Sequence, residues 1–206
     1  MKIKNAIVEY VSSDEYVAQP QEISLSTVAA IAAQNLDGPI VEIGAGCGKT
    51  TAQLLIVAKQ YDRMVYVIDP YSGDMPPGYG GPNTPYTKEN LMDNVEEVNG
   101  QDHFTLIEQS SQDMDPNIIW NLGPLCFAFV DGLQDRASVI NDLRLVSKCS
   151  VIAVDDYKRH TEISQVAIAV EQFIRTNSVH YDLFVDGHTE RSRAYLFRVN
   201  NELTRS

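Results

Sequence analysis

The chain of 206 residues is long enough for one globular domain whose core needs no disulfide bonds. It contains 16 basic and 28 acidic residues, for a net charge of −12, and 44% of its residues are hydrophobic. Nucleic acid or an anionic membrane is excluded as a main partner, because like charges repel. No apolar run approaches the roughly 20 residues that cross a bilayer, and the three cysteines form no zinc-binding pattern. We therefore expect a soluble, cytoplasmic protein.

Short apolar segments rich in β-branched residues alternate with segments of helical periodicity. Near-continuous apolarity is typical of strands that are buried on both faces of a parallel sheet. The alternation predicts a doubly wound, Rossmann-like α/β fold, a mostly parallel seven-stranded sheet with helices on both faces, in a single domain over residues 1–206. Predicted strands span residues 40–43, 64–69, 104–107, 126–131 and 151–155, before an antiparallel C-terminal hairpin of 181–185 and 194–199. Predicted helices span residues 24–34 (within a helical N-terminal segment, 1–37), 50–60, 88–98, 136–146 and 163–175.

One segment interrupts this alternation. Residues 70–85 contain five prolines and four glycines, a composition that excludes a helix or an interior strand. The loop, which we place at 70–87, follows the carboxyl end of a predicted strand, where α/β folds bind their ligands. It is interpreted either as a lid over a ligand site or as a surface loop.

A glycine-rich turn follows the first predicted strand and opens the next helix. Its sequence, over residues 42–50, is EIGAGCGKT. A phosphate-binding P-loop would need glycine in place of Ile43, and a nicotinamide-dinucleotide fingerprint would need glycine in place of Lys49. What remains is an acidic residue followed by three spaced glycines, which let the backbone turn tightly and approach a ligand closely. This pattern resembles motif I of class I S-adenosylmethionine-dependent methyltransferases.

Residues after the next two strands extend the resemblance. The second strand ends at Asp69, and in nucleoside-binding α/β domains an acidic residue there accepts hydrogen bonds from both ribose hydroxyls. The third strand is followed by Ser-Ser-Gln-Asp at 110–113, which is similar to the segment that frames the adenine in catechol O-methyltransferase-like enzymes; a helix N-cap is the alternative interpretation. The resemblance implies S-adenosylmethionine contacts at Glu42, Gly44, Ala45, Gly46, Gly48, Asp69, Ser111, Gln112 and Asp131.

Three acidic residues lie at the carboxyl ends of the fourth and fifth predicted strands: Asp131, Asp155 and Asp156. Adjacent parallel strands lie about 5 Å apart, so these carboxylates can converge on one point. Packed carboxylates repel unless a proton or a cation intervenes, and oxygen ligands favour a hard ion such as Mg²⁺. Strand ends and helix caps are the alternative interpretation.

The spacing of these acidic residues also resembles that of a known metal site. Asp-x-x-x-Asp-Arg after the fourth strand and Asp-Asp after the fifth resemble the metal site of Mg²⁺-dependent catechol O-methyltransferase-type enzymes. Related bacterial methyltransferases that act on sugars and antibiotics share this spacing. The resemblance runs from about residue 41 to residue 157. It implies that Asp131, Asp155 and Asp156 are metal ligands.

The sequence lacks a general base at the position where the catechol enzymes carry one. These carry a lysine in place of Gln134, which does not accept a proton usefully at neutral pH, and a tryptophan in place of Leu133. The residues just past the metal pattern, Lys158 and His160 among them, are therefore the candidate catalytic groups. Of these, a histidine titrates in the useful pH range.

The sequence predicts an S-adenosylmethionine-dependent O-methyltransferase that moves a methyl group to a metal-bound hydroxyl of a small molecule. A sugar, a polyol or a catechol-like compound would be the acceptor, and homo-oligomerisation is left open. Two other classes of function remain: a nucleotide hydrolase with a degenerate P-loop, and a non-catalytic cofactor-binding partner of the same fold. A metal-independent methyltransferase is a nearer alternative.

Overall fold

The computed structural model describes residues 24–71, 87–157, 164–186 and 192–199. Most of the predicted lid loop and N-terminal segment lies outside these ranges, as do the candidate catalytic residues Lys158 and His160. Those interpretations, and the assignment of the whole chain to one domain, stay predictions.

The described residues form a seven-stranded sheet, in the order β3-β2-β1-β4-β5-β7-β6. The first five strands pair in parallel and the last two are antiparallel, which confirms the predicted fold class. One detail was not predicted: β7 lies between β5 and β6, so that the last strand is interior and β6 forms the edge. The strands are β1 (Ile40–Ile43), β2 (Val65–Ile68), β3 (Phe104–Ile107), β4 (Phe127–Val130), β5 (Val151–Val154), β6 (Tyr181–Asp186) and β7 (Arg193–Arg198).

Helices connect the strands, and most begin at a residue whose side chain caps them. Thr87, Asp135 and Ser164 each accept a hydrogen bond from a backbone N–H in the first turn of the following helix. The helix after the glycine-rich turn instead follows Gly48, which has left-handed backbone angles. The helices are α1 (Leu25–Asn35), α2 (Lys49–Tyr61), α3 (Lys88–Glu97), α4 (Pro116–Trp120), α5 (Arg136–Leu145) and α6 (Gln165–Thr176).

The core consists of two apolar layers, one on each face of the sheet. Side chains along a strand alternate between the faces. In β4, Phe127 and Phe129 pack in the layer with α1, α2 and α3, whereas Ala128 and Val130 pack in the layer with α4, α5 and α6. None of the helices in the described ranges is both long and apolar enough to cross a membrane.

The register of the parallel strands determines where the predicted site residues lie. Ile43, the last residue of β1, pairs with Ile68 in β2 and with Val130 in β4. Val130 in turn pairs with Val154 in β5. The residues that directly follow these four strands therefore meet at one edge of the sheet: Gly44, Asp69, Asp131 and Asp155.

Gly44 allows the turn after β1 to lie against the end of β4. Its φ is +84°, and a Cβ at this position would lie 2.3 Å from the carbonyl oxygen of Asp131. Any other residue would separate the two strand ends, because the Cβ would meet backbone atoms of Asp131 and Gly132 and not a flexible side chain. The close approach therefore requires glycine for both conformation and space.

Gly123 is a matched control for this requirement, because its φ is +87° but an added Cβ would meet nothing within 4 Å among the described residues. We expect Gly123→Ala to cost about 1–2 kcal/mol in free energy of unfolding, from backbone strain alone. Gly44→Ala should cost a further ~1–3 kcal/mol from the steric conflict with Asp131. Urea unfolding of the two variants measures the difference, and equal losses would contradict the close approach.

Candidate functional site

A cavity of about 470 Å³ opens at the carboxyl ends of the parallel strands. This volume lies in the usual range for a small-molecule site. Its wall contains most of the residues that the sequence assigns to a cofactor or a metal, and Glu42 and Gly48 are not among the described residues that line it. The predicted site residues that do line it are Gly44, Ala45, Gly46, Asp69, Ser111, Gln112, Asp131, Asp155 and Asp156.

Asp69 holds the glycine-rich turn in shape. Its Oδ2 accepts hydrogen bonds from the backbone N–H of Ala45, at 2.9 Å, and of Gly46, at 3.3 Å. Its Oδ1 accepts from the backbone N–H of Tyr71 at 3.1 Å, and only 4% of the residue is exposed. Sequence analysis assigned Asp69 to ribose hydroxyls and missed this structural role. The carboxylate joins the turn after β1 to the end of β2.

Two further side chains form hydrogen bonds with the same turn. The hydroxyl of Tyr71 donates to the carbonyl of Gly46 at 2.8 Å. From α3, the Nδ2 of Asn94 donates to the carbonyl of Cys47 at 2.7 Å. Neither contact has a local sequence signal, because each joins residues that are more than twenty positions apart.

Glu42 lies within the protein and not in the cavity wall, which differs from the predicted cofactor contact. It is fully buried, and its Oε2 accepts a hydrogen bond from the Thr51 hydroxyl at 2.6 Å. Burial, together with the negative charges of Asp131 and Asp69, raises the pKa of Glu42 to about 8. The cause of this placement is strand alternation: Glu42 lies within β1, on the face against which α2 packs.

Gly48 also differs from its predicted role as a cofactor contact. Its φ is +85°, and a Cβ there would lie 2.9 Å from the Cα of Leu91 in α3. The glycine therefore permits α2 to begin in contact with α3, and its backbone does not reach the cavity.

The segment after β3 forms the helix cap that the sequence left open as an alternative, and contact with adenine stays a prediction. Residues Ser111–Asp113 form a short 3-10 helix, and the Ser110 hydroxyl caps it by accepting from the backbone N–H of Gln112 at 3.2 Å. Ser111 and Gln112 also line the cavity. The Nε2 of Gln112 donates to Oδ1 of Asp142 at 3.0 Å, and Asp142 is fully buried in α5. Sequence analysis did not single out Asp142.

The three strand-end carboxylates meet in the cavity as predicted. Asp131 is open to the cavity, but the surrounding protein reduces its hydration, and this raises its pKa to about 8, with repulsion from Asp155 and Asp156 adding to the effect. Asp155 and Asp156 already have polar contacts within the chain. Nε of Arg193 donates to Asp155 Oδ1 at 3.1 Å, and Nε2 of Gln134 donates to Asp156.

The contact of Arg193 follows from the order of the strands. Ala194 pairs with Val154, so Arg193 is opposite the residue that follows β5. The sequence prediction considered a metal or a proton as the source of charge neutralisation and missed this guanidinium. Within the described ranges, no group of three His, Cys, Asp or Glu side chains is arranged to hold a metal ion. The predicted ligands therefore share a cavity without forming a ready metal site.

Several solved structures share the fold of this chain. The O-methyltransferase TomG from Streptomyces achromogenes, solved in complex with SAM, is 15% identical, with 95% of this chain and 87% of that chain covered and a TM-score of 0.59. An O-methyltransferase from Bacillus cereus, in complex with SAH, is 15% identical over 95% and 89% of the two chains, with a TM-score of 0.57. CalS11, a TDP-rhamnose 3'-O-methyltransferase of calicheamicin biosynthesis, is 14% identical over 94% and 86%, with a TM-score of 0.58.

At such low identity these similarities show a shared fold alone. No curated protein matches the sequence. A family model described as a methyltransferase domain matches residues 41–157, which run from β1 to the residue after the acidic pair at the end of β5. This range contains the glycine-rich turn, Asp69, the Ser-Gln-Asp segment and the strand-end carboxylates. The match covers more than half of the chain, and the protein therefore belongs to this methyltransferase family.

Proposed function

We propose that the protein transfers the sulfonium methyl group of S-adenosylmethionine to a hydroxyl group of a small molecule. The observation that carries the proposal is the glycine-rich turn, held by Asp69 against the cavity at the ends of β1 and β2. The same cavity is lined by Ser111 and Gln112 on one strand end and by carboxylates on two others. A donor and an acceptor can thus lie side by side in one space.

The charge of the cavity suits this cofactor. S-adenosylmethionine carries a positive sulfonium, a positive ammonium and a negative carboxylate group. The wall contains one lysine, Lys49, and four aspartates, Asp69, Asp131, Asp155 and Asp156. A cationic ligand would favour the ionised form of Asp131, whose pKa is raised to about 8. Opposite charges attract strongly where protein restricts access of water. A nucleotide triphosphate would bring several negative charges to the same wall. The arrangement therefore favours the methyltransferase over the nucleotide hydrolase that the sequence left open.

The acceptor side of the proposal concerns Asp131, Asp155 and Asp156. Their oxygen atoms are the ligand type that Mg²⁺ prefers. Burial raises the pKa of Asp131, with repulsion from Asp155 and Asp156 adding to the effect, and a divalent cation would favour the ionised form of all three. These three residues form no ready metal site as they stand, and we propose that they would hold a divalent cation after a rearrangement of their side chains. When bound, such an ion would supply Lewis acidity that lowers the pKa of a coordinated hydroxyl. Binding has to compete with the contact between Arg193 and Asp155.

The described residues would act mainly by position. Methyl transfer is one in-line displacement: the bond from carbon to the acceptor oxygen forms as the bond from carbon to sulfur breaks, and S-adenosylhomocysteine leaves. Most of the acceleration in such a step comes from alignment of the two reactants and exclusion of water. The hydroxyl proton must pass to a base, and Lys158 and His160 remain the predicted candidates. Gln134 lines the cavity as a hydrogen-bond donor to Asp156.

The acceptor class rests on the apolar part of the wall and on the related structures. Leu133 lines the cavity with 43% of its surface exposed, where the catechol enzymes carry a tryptophan. A leucine offers less flat surface for an aromatic ring to stack on. CalS11 is described as acting on a TDP-rhamnose sugar. A sugar or polyol hydroxyl is therefore the acceptor we propose first.

Cofactor binding tests the first part of the proposal. Calorimetry should detect S-adenosylmethionine binding to the intact chain, and Asp69→Ala should bind at least tenfold more weakly, because the turn loses its anchor. Asp93→Ala is the control, since Asp93 is an exposed aspartate on α3 and does not line the cavity. Heat with ATP but none with S-adenosylmethionine would restore the nucleotide hydrolase.

Activity distinguishes an enzyme from a cofactor-binding partner. With a radiolabelled methyl donor, we expect label to pass to members of a panel of sugars and polyols in preference to catechols. Asp131→Asn should reduce transfer, because Asp131 lies between the donor turn and the acceptor carboxylates. Label that stays on the donor across the whole panel, in a protein that binds S-adenosylmethionine, would support the non-catalytic alternative.

Thermal unfolding with added Mg²⁺ tests the metal assignment. A ligand at roughly 100 times its Kd stabilises the folded state by about 2.7 kcal/mol, which for a chain of this size raises Tm by roughly 5–10 °C. Asp155→Asn should remove most of this rise, whereas Asp93→Asn should keep it. If Mg²⁺ leaves the Tm of the wild type unchanged and transfer proceeds in a chelator, the enzyme is metal-independent.

A further inference from the structure

The side-chain amide of Gln112 is held at the cavity wall by two hydrogen bonds from the same nitrogen. Its Nε2 donates to Oδ1 of Asp142 at 3.0 Å and to the hydroxyl of Ser111 at 3.1 Å. An amide nitrogen has two hydrogens, so both are used. The amide oxygen, Oε1, is left to accept a hydrogen bond from a molecule in the cavity.

Asp142 is the residue that decides which end of the amide faces the cavity. A hydroxyl such as that of Ser111 both donates and accepts, so it would tolerate either orientation of Gln112. An ionised carboxylate only accepts, and an amide oxygen turned towards it would be repelled. The nitrogen of Gln112 must therefore face Asp142, and the oxygen must face away from it.

The position of Asp142 is rigid. The residue is fully buried in α5, and a Cβ at Gly132 in the cavity wall would lie 3.1 Å from its Oδ2. The neighbouring Asn141 donates from Nδ2 to the backbone carbonyl of Ser111 at 2.8 Å, which gives a second link between α5 and the 3-10 helix. The amide of Gln112 is thus oriented by an element of the core and not by solvent.

The stability of the core does not explain why an aspartate occupies position 142. Its Oδ2 is buried and has no hydrogen-bond partner among the described residues, an arrangement that lowers stability relative to an apolar side chain. Burial raises the pKa of Asp142 to about 6, while hydrogen bonds from Ser111 and Gln112 favour the charged form, so the group is mainly ionised at neutral pH. The negative charge of Asp142 therefore lies within hydrogen-bond distance of Gln112 and can orient its amide.

We infer that Asp142 is a positioning residue that makes the cavity select the 6-amino group of adenine. This inference rests on the proposed function, since it takes the S-adenosyl group to be the ligand. The exocyclic amine of adenine donates a hydrogen bond that Gln112 Oε1 can accept. A hypoxanthine base carries an oxygen at the same position, which would face Oε1 as a second acceptor. Asp142 does not touch the ligand and acts through the orientation of Gln112.

The test compares two neutral probes, S-adenosylhomocysteine and S-inosylhomocysteine, by calorimetry on the full chain. The wild type should prefer the adenosyl compound by about tenfold or more, as expected for one mismatched polar contact. In Asp142→Asn, the new amide can donate to Oε1 of Gln112, so that both orientations become accessible. The preference should then fall to within about threefold.

Two further variants separate orientation from general structural damage. Asn141→Ala removes the other link to the 3-10 helix and a polar neighbour of Asp142, but it keeps the carboxylate that orients the amide, so both affinities should fall together and their ratio should persist. Gln112→Leu removes the acceptor on an exposed residue and should abolish the preference even if Asp142→Asn fails to fold. A ratio that stays at the wild-type value in Asp142→Asn or Gln112→Leu, with the adenosyl compound still bound, overturns the inference alone. Absence of binding to the wild type overturns the proposed function instead.

Discussion

The site depends on one interaction, the pair of hydrogen bonds that Asp69 accepts from Ala45 and Gly46. A turn with three glycines has a large conformational entropy when it is free, so a specific shape requires a strong local restraint. A carboxylate that is 4% exposed provides one, because its bonds to backbone N–H groups are charge-assisted and shielded from water. The same carboxylate also contacts Tyr71, so the shape of the turn and the start of the following loop are coupled.

The acidic wall has a consequence for the exchange of ligands. Transfer of the methyl group converts a cationic sulfonium into a neutral thioether, so the ligand loses a positive charge inside the cavity. A carboxylate such as that of Asp69 attracts the donor more strongly than it attracts the product. The electrostatic contribution therefore favours loading of S-adenosylmethionine and release of S-adenosylhomocysteine, although both share the adenosyl group. Arg193 limits the excess of negative charge by its ion pair with Asp155.

Sequence analysis predicted the sheet and the strand-end carboxylates well, because both depend on short-range patterns. Apolar β-branched segments locate parallel strands, and parallel register brings the residue after each strand to one edge. The positions of Glu42 and Gly48 outside the described cavity wall could not be predicted, because a motif names residue types without saying which face of a strand or turn they occupy. Asp142 and Arg193 were missed because their partners, Gln112 and Asp155, are 30 and 38 positions away. Only the packing of α5 and the insertion of β7 beside β5 bring them together.

Gln134 leaves the cavity without a basic side chain at the position where the catechol enzymes have one. Its amide nitrogen donates to Asp156, so the side chain orients a carboxylate where the catechol enzymes carry a basic lysine. A neutral amide cannot take the hydroxyl proton. Lowering the pKa of the acceptor hydroxyl therefore matters more in this cavity than in one with a strong base at that position. Carboxylates alone would raise that pKa, so the demand calls for a positive charge near the hydroxyl oxygen, which the divalent cation proposed for the carboxylates at the ends of β4 and β5 would supply.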